Sequence, residues 1–160
     1  MPIIIFITQK GKVLGVYVRE VGSSYLKLVL GELITELLAT DCNLEIDPTK
    51  LKDSTDEKVR KNLESLIHWT DKILERLMDD SVRNTMPQEV KLVASYIAHI
   101  SDSLQLDTPV LIGGYIMLRF FNPAIATPDA YGLVKKGKGK NGQRNLILIS
   151  KIIQNLANGV

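Results

Sequence analysis

The sequence predicts an all-α domain, and three observations carry that expectation. Apolar residues recur at helical spacing over 26–38, 59–77, 90–100 and 146–156. Short loops with capping or turn residues separate these stretches. No Pro/Ser-rich linker or internal repeat divides the 160 residues, a length that suits one domain with a real core.

The first 21 residues stand apart as a divergent segment, ahead of a helical domain over 22–160. Ile3 to Ile7 and Val13 to Val18 are β-branched runs around Thr8-Gln9-Lys10-Gly11-Lys12, which locally resembles a short β-hairpin over residues 1–20. A lone hairpin is marginal in water, so an irregular or helical start competes with it. From Tyr25 the pattern is helical, with Leu26, Leu28, Leu30, Leu33, Ile34, Leu37 and Leu38 forming a broad apolar face that ends near Thr40-Asp41. A loop with Asp47-Pro48 follows. Ser54-Thr55-Asp56-Glu57 has the Ser-x-x-Glu spacing of a capping box. Behind it, Val59, Leu63, Leu66, Ile67, Thr70, Ile73, Leu74 and Leu77 mark the most strongly periodic helix.

A further helix is expected from about Gln88 to Leu104, with Val90, Val93, Ile97 and Ile100 inward and Pro87 at its start. Val110 to Leu118 is apolar all round, which fits a buried helix or a buried strand. Its Gly113 and Gly114 would each cost a helix roughly 1 kcal/mol, a sign of close backbone packing. Pro123 and Pro128 are expected to break the chain after it. The last helix is read from about Arg144 to Asn158, with Leu146, Ile149, Ile153 and Leu156 inward.

Composition excludes several classes. Apolar residues make up 45% and charged ones 24%, an ordinary globular balance. No apolar run reads as approaching the ~20 residues of a membrane helix, so no stable membrane insertion is expected. The start lacks the basic flank and cleavage site of a signal peptide. A single cysteine, Cys42, cannot staple the fold, which makes a reducing, cytoplasmic setting the expectation. His68, His99 and Cys42 offer no metal-ligand spacing. Gly137-Lys138-Gly139-Lys140-Asn141-Gly142 matches G-x-G-x-x-G but lacks the preceding strand and βαβ unit of a dinucleotide site. The same lysines have no interleaved aromatic to suggest nucleic acid. They do belong to a one-signed end: Ala130 to Val160 holds six positive residues and no acid, while the other 129 residues balance to −4. Such an end suits an acidic partner, or is a solvated lysine loop.

The segment Leu118-Arg119-Phe120-Phe121-Asn122-Pro123-Ala124-Ile125 is chemically odd. A guanidinium amid core residues needs acceptors for its five donors, so Arg119 is expected to reach backbone carbonyls or a carboxylate. A structural arginine at a helix end is the plainer alternative. Asn122 before Pro123 is read as a turn, since the residue preceding proline avoids helical geometry.

That block, with Thr127-Pro128 after it, resembles the signature of Ras GTPase-activating (RasGAP) domains. Arg144 to Asn158 resembles the helix that follows it there, and Gly22-Ser23-Ser24-Tyr25-Leu26 and Glu45 to Leu51 are weaker echoes. The likeness covers about residues 22–158, nearest in style to neurofibromin and the IQGAP scaffolds. It implies an all-helical domain with a groove for the GTP-loaded switch regions of a Ras-family GTPase, and no cofactor or metal. By the same resemblance Arg119 would steady the arginine-finger loop, Asn122 would shape its floor, and Lys151 and Gln154 would line the groove. Lys135, Lys136 and Arg144 would face an acidic effector surface.

The family's finger sits in a Leu-Phe-Arg-like loop well ahead of the Gly-x-x-Tyr-Leu block. The corresponding place here falls near Ile5, where there is no arginine. Arg19, the only arginine before Arg60, lies three residues before Gly22 and is a weak finger candidate. Lys10 and Lys12 lack the planar fork that bridges two phosphates. The sequence therefore leaves three readings: a GTPase activator, a finger-less scaffold or effector domain in the IQGAP manner, and a plain helical interaction module.

Overall fold

A computed structural model describes residues 2–40, 42–135 and 141–159, with side chains from residue 15 onward. Among these residues every regular element is helical: α1 (Pro2–Ala39), a 3-10 turn (Pro48–Lys50), α2 (Asp56–Met78), α3 (Asp80–Arg83), α4 (Gln88–Ser103), α5 (Thr108–Gly114), a π-helical stretch (Tyr115–Phe121), α6 (Asn122–Ala126) and α7 (Gly142–Ala157). The all-α expectation holds.

The hairpin reading of residues 1–20 does not, because α1 runs unbroken from Pro2 to Ala39. β-Branched residues carry only a weak preference, and helix propagation from an established turn overrides it. The established part is buried: Val18, Tyr25, Leu26, Val29, Leu30, Ile34 and Leu37 are each at most 6% exposed. Leu28, counted inward from the sequence, faces out. α1 packs against α2, α4 and the π-helical stretch, while α7 packs against α2, α5 and α6.

α2 is capped one residue later than the capping box implies. The Thr55 hydroxyl accepts from the Lys58 amide at 3.2 Å. Asp56 and Glu57 then occupy the first turn, where the helix dipole favours acids. Leu66, Trp69, Ile73 and Leu77 are buried, while Leu63 and Ile67 lie on the exposed flank of the stripe. In α4, Val90 is buried but Ile100 is exposed, and in α7 Leu156 is exposed while Leu146, Ile149 and Ile153 are buried. In these three cases the apolar stripe is wider than the surface available to cover it.

The stretch left open between helix and strand is helix, and it does not stop at Pro123. α5, the π-helical stretch and α6 are continuous from Thr108 to Ala126. Asp107 starts it, accepting from the Val110 amide at 3.1 Å. Asn122 is helical (φ −61°, ψ −39°), against the expectation of a turn before proline, and its N–H donates to the Met117 carbonyl five residues back. The wider π turn lets the chain carry Pro123, which has no N–H, without ending the helix. The turn comes instead at Thr127–Leu133, closed by Leu133 N–H on the Pro128 carbonyl at 2.9 Å. With 19 residues and a mean hydropathy of 1.3, this run is long and apolar enough by composition to cross a membrane, contrary to the reading from the sequence. Here its Tyr115, Phe120, Phe121, Ala124 and Ile125 form part of the domain core. Gly113 bears out the expectation of close packing, since an added Cβ would lie 3.3 Å from the Ala157 carbonyl; Gly114 has open space.

Candidate functional site

The residues singled out from the sequence converge only in part. Asn122, at the start of α6, is 8% exposed and its Nδ2 donates to Gln154 Oε1 of α7 at 2.8 Å. Gln154 Nε2 donates in turn to Asn158 Oδ1 at 3.0 Å. An amide ladder thus fixes the Gln154 head group at the α6–α7 seam. Asn122 Oδ1 is buried with no hydrogen-bond partner among the described residues. Lys151, one turn before Gln154, is exposed. Of the pair expected to line a groove, Lys151 is thus exposed and Gln154 half-buried.

Arg119 lies one turn before Asn122 and is half-buried. Among the described residues it has no hydrogen-bond or ion-pair partner, so the expected carbonyl or carboxylate acceptors are not there. Arg119 lies within the continuous helix from Thr108 to Ala126, where the neighbouring carbonyls are engaged in the helix's own ladder. The stability penalty of breaking a buried pair consequently does not apply to Arg119.

Arg144 is taken up by the fold. Its Nε donates to Glu45 Oε2 at 2.6 Å, and the Glu45 side chain is only 6% exposed. The next residue, Asn145, is 1% exposed and works in both directions: its Oδ1 accepts from the Leu44 amide at 3.0 Å and its Nδ2 donates to the Cys42 carbonyl at 2.9 Å. Asn62 of α2 donates to the Glu45 carbonyl at 2.7 Å. Residues 42–47 are thereby strapped across the start of α7 by three side chains from two helices. Asn62 and Asn145 were missed, although each sits in register with an apolar stripe, where a polar residue signals a buried hydrogen bond.

The Arg144 hydrogen bond holds the Glu45 carboxyl below the usual carboxylate range, against the opposing effect of burial. A carboxyl held low in the fold stabilises it fully above the unfolded value, about 4.3 for glutamate. That contribution is lost as pH falls through the lower folded value. Glu45→Gln is therefore expected to flatten the decline in thermal stability below about pH 4.5. Melting curves from pH 6 downward check this, and parent and variant curves that fall in parallel would contradict it.

Arg19 is not free either. Its Nη2 donates to the Ala130 carbonyl, and its guanidinium carbon lies 4.9 Å from the centroid of the Tyr131 ring. Lys135 is exposed, and Lys136 lies outside the described residues, as do the lysines at 138 and 140. His68 packs edge-on against Trp69, with ring centroids 5.8 Å apart. Behind the site, Tyr25 stacks on Phe120 at 5.9 Å and 8°, and Phe121 lies 5.1 Å from Phe120. This aromatic wall joins the Gly22–Leu26 turn of α1 to the helix that carries Arg119.

Among the described residues, the all-helical domain presents an exposed cation, Lys151, and a hydrogen-bonded amide, Gln154, on one late helix. Residues 52–158 match the family model for the GTPase-activator protein for Ras-like GTPase, and the chain belongs to that RasGAP family. It is 39% identical over 93% of its length to Neurofibromin-A of Dictyostelium discoideum. It is also 32% identical over 93% to the probable Ras GTPase-activating-like protein ngap of the same organism, and 34% identical over 89% to the human Ras GTPase-activating protein nGAP. The chain spans 18%, 17% and 12% of those relatives' lengths, respectively.

Proposed function

We propose that this chain binds the GTP-loaded switch regions of a Ras-family GTPase through the α6–α7 face, as a regulator of the partner's hydrolysis. The observation that carries the reading is the Asn122–Gln154 hydrogen bond, which sets Gln154 beside the exposed Lys151 in a chain of this family. Lys151 supplies positive charge to an anionic effector surface, and Gln154 keeps donor and acceptor capacity on the same side. Arg119, which has no hydrogen-bond partner among the described residues, is the residue available to fasten an apposed loop.

A second reading, a finger-less effector domain that holds the GTP state without speeding its loss, rests on Arg19. An arginine finger raises hydrolysis roughly 10³- to 10⁵-fold, a value already established for Ras with its activators. A guanidinium already docked on Ala130 and Tyr131 is a poor source of that effect, so stimulation by this chain should be weak.

The test is titration of a GTP-analogue-loaded Ras-family GTPase with the parent chain and with Lys151→Glu. Charge reversal at the proposed face should raise Kd at least about tenfold. An unchanged Kd would place the binding surface elsewhere.

A further inference from the structure

We propose that Arg19 is a positioning residue, which tethers the α6–α7 connection to α1 and so presents Lys135 to the anionic face of the partner. This rests on the functional reading above and adds a second point of contact, away from the α6–α7 seam.

The connection between Thr127 and Val134 has its own architecture. Ala130 N–H donates to the Thr127 carbonyl at 3.0 Å, Gly132 N–H to Asp129 at 3.2 Å and Leu133 N–H to Pro128 at 2.9 Å. Gly132 takes φ +65°, a left-handed conformation that closes the lobe and suits glycine. Such a lobe is internally folded but needs anchors to hold a fixed place on the body.

Among the described residues, two anchors lie on α1. Leu133 is 5% exposed, and its carbonyl lies 3.6 Å from where a Cβ on Gly31 would sit, so it rests directly on the helix. About three turns earlier, Arg19 grips the other side of the lobe through the Ala130 carbonyl and the face of Tyr131. The Tyr131 phenol is pushed up by burial, with Arg19 pulling the other way, consistent with a ring covered by the guanidinium. A planar guanidinium can bond a carbonyl with its edge and stack an aromatic with its face at once, which an ammonium cannot. Lys135 is exposed two residues beyond the buried Leu133, so its position is set by how firmly the lobe is held.

The full chain is compared with Arg19→Ala, Arg19→Lys and Tyr131→Leu by titration against a GTP-analogue-loaded Ras-family GTPase. Amide hydrogen exchange of residues 130–133 is followed in parallel. Arg19→Ala and Tyr131→Leu should each weaken binding about three- to tenfold and shallow its salt dependence, and Arg19→Lys should restore it only in part. Exchange over 130–133 should quicken in the Ala and Leu variants while the α7 amides stay protected. Parent-like binding by Arg19→Ala would overturn the proposal, as would unchanged exchange at 130–133. A parent that binds no GTPase would instead remove the functional reading on which the proposal stands.

Discussion

Gly22→Ala is expected to destabilise the domain by about 2–3 kcal/mol, although alanine is the better helix former. Adding a methyl inside a helix ordinarily gains about 0.5–1 kcal/mol. At Gly22 the new Cβ would lie 2.3 Å from Phe120 Cε2 and 2.6 Å from Cζ, well inside contact distance. The ring cannot swing away, because Phe120 is 0% exposed and wedged between Tyr25 and Phe121. Overpacking typically costs roughly 1–3 kcal/mol and occasionally more; a 2.3 Å approach to a confined ring lies at or beyond the top of that range, so it outweighs propensity. For a domain of this size the melting temperature should fall by roughly 5–10 °C. Gly15→Ala, on the same helix with nothing among the described residues within 4 Å of its added Cβ, is the matched control and should be neutral or slightly stabilising. If both variants melted together, the tight contact between α1 and the π-helical stretch would be disproved.

Asn145→Ala should cost about as much, by a different route. It leaves the Leu44 N–H and the Cys42 carbonyl without their side-chain partner, and an orphaned buried group costs roughly 1–3 kcal/mol. Loss of about 2–4 kcal/mol is expected, with the Leu44 amide losing its protection against hydrogen exchange. Asn62→Ala, which frees only the Glu45 carbonyl, should cost less. Equal effects, or a Leu44 amide that stays protected in Asn145→Ala, would show that the strap is held by other contacts.

Legibility from sequence followed the range of the physics involved. Helical periodicity depends on neighbours three and four residues apart, so α2, α4 and α7 were readable to within a residue or two. α1 beyond its buried half was not, because a β-branched run carries a local preference that an adjoining helix overrides. Pro123 misled for a similar reason: the rule about the preceding residue assumes an ordinary turn, and the π-helical widening at Asn122 removes the conflict. The family block singled out Arg119, Asn122, Lys151 and Gln154, but side-chain partners over long sequence separations were out of reach. Nothing near Arg144 announces Glu45, 99 positions away, and nothing near Arg19 announces Ala130, 111 away. Charge counting grouped Arg144 with the lysines around it. The structure separates them, since Arg144 is paired with Glu45 and Lys151 is exposed.

The central claim is recognition of a nucleotide state through the α6–α7 face. Calorimetric titration of the unmodified chain against one Ras-family GTPase, loaded first with a GTP analogue and then with GDP, tests it most directly. The account predicts measurable affinity for the GTP form and at least about tenfold weaker binding of the GDP form. Equal affinity for the two forms, or none for either, would contradict it.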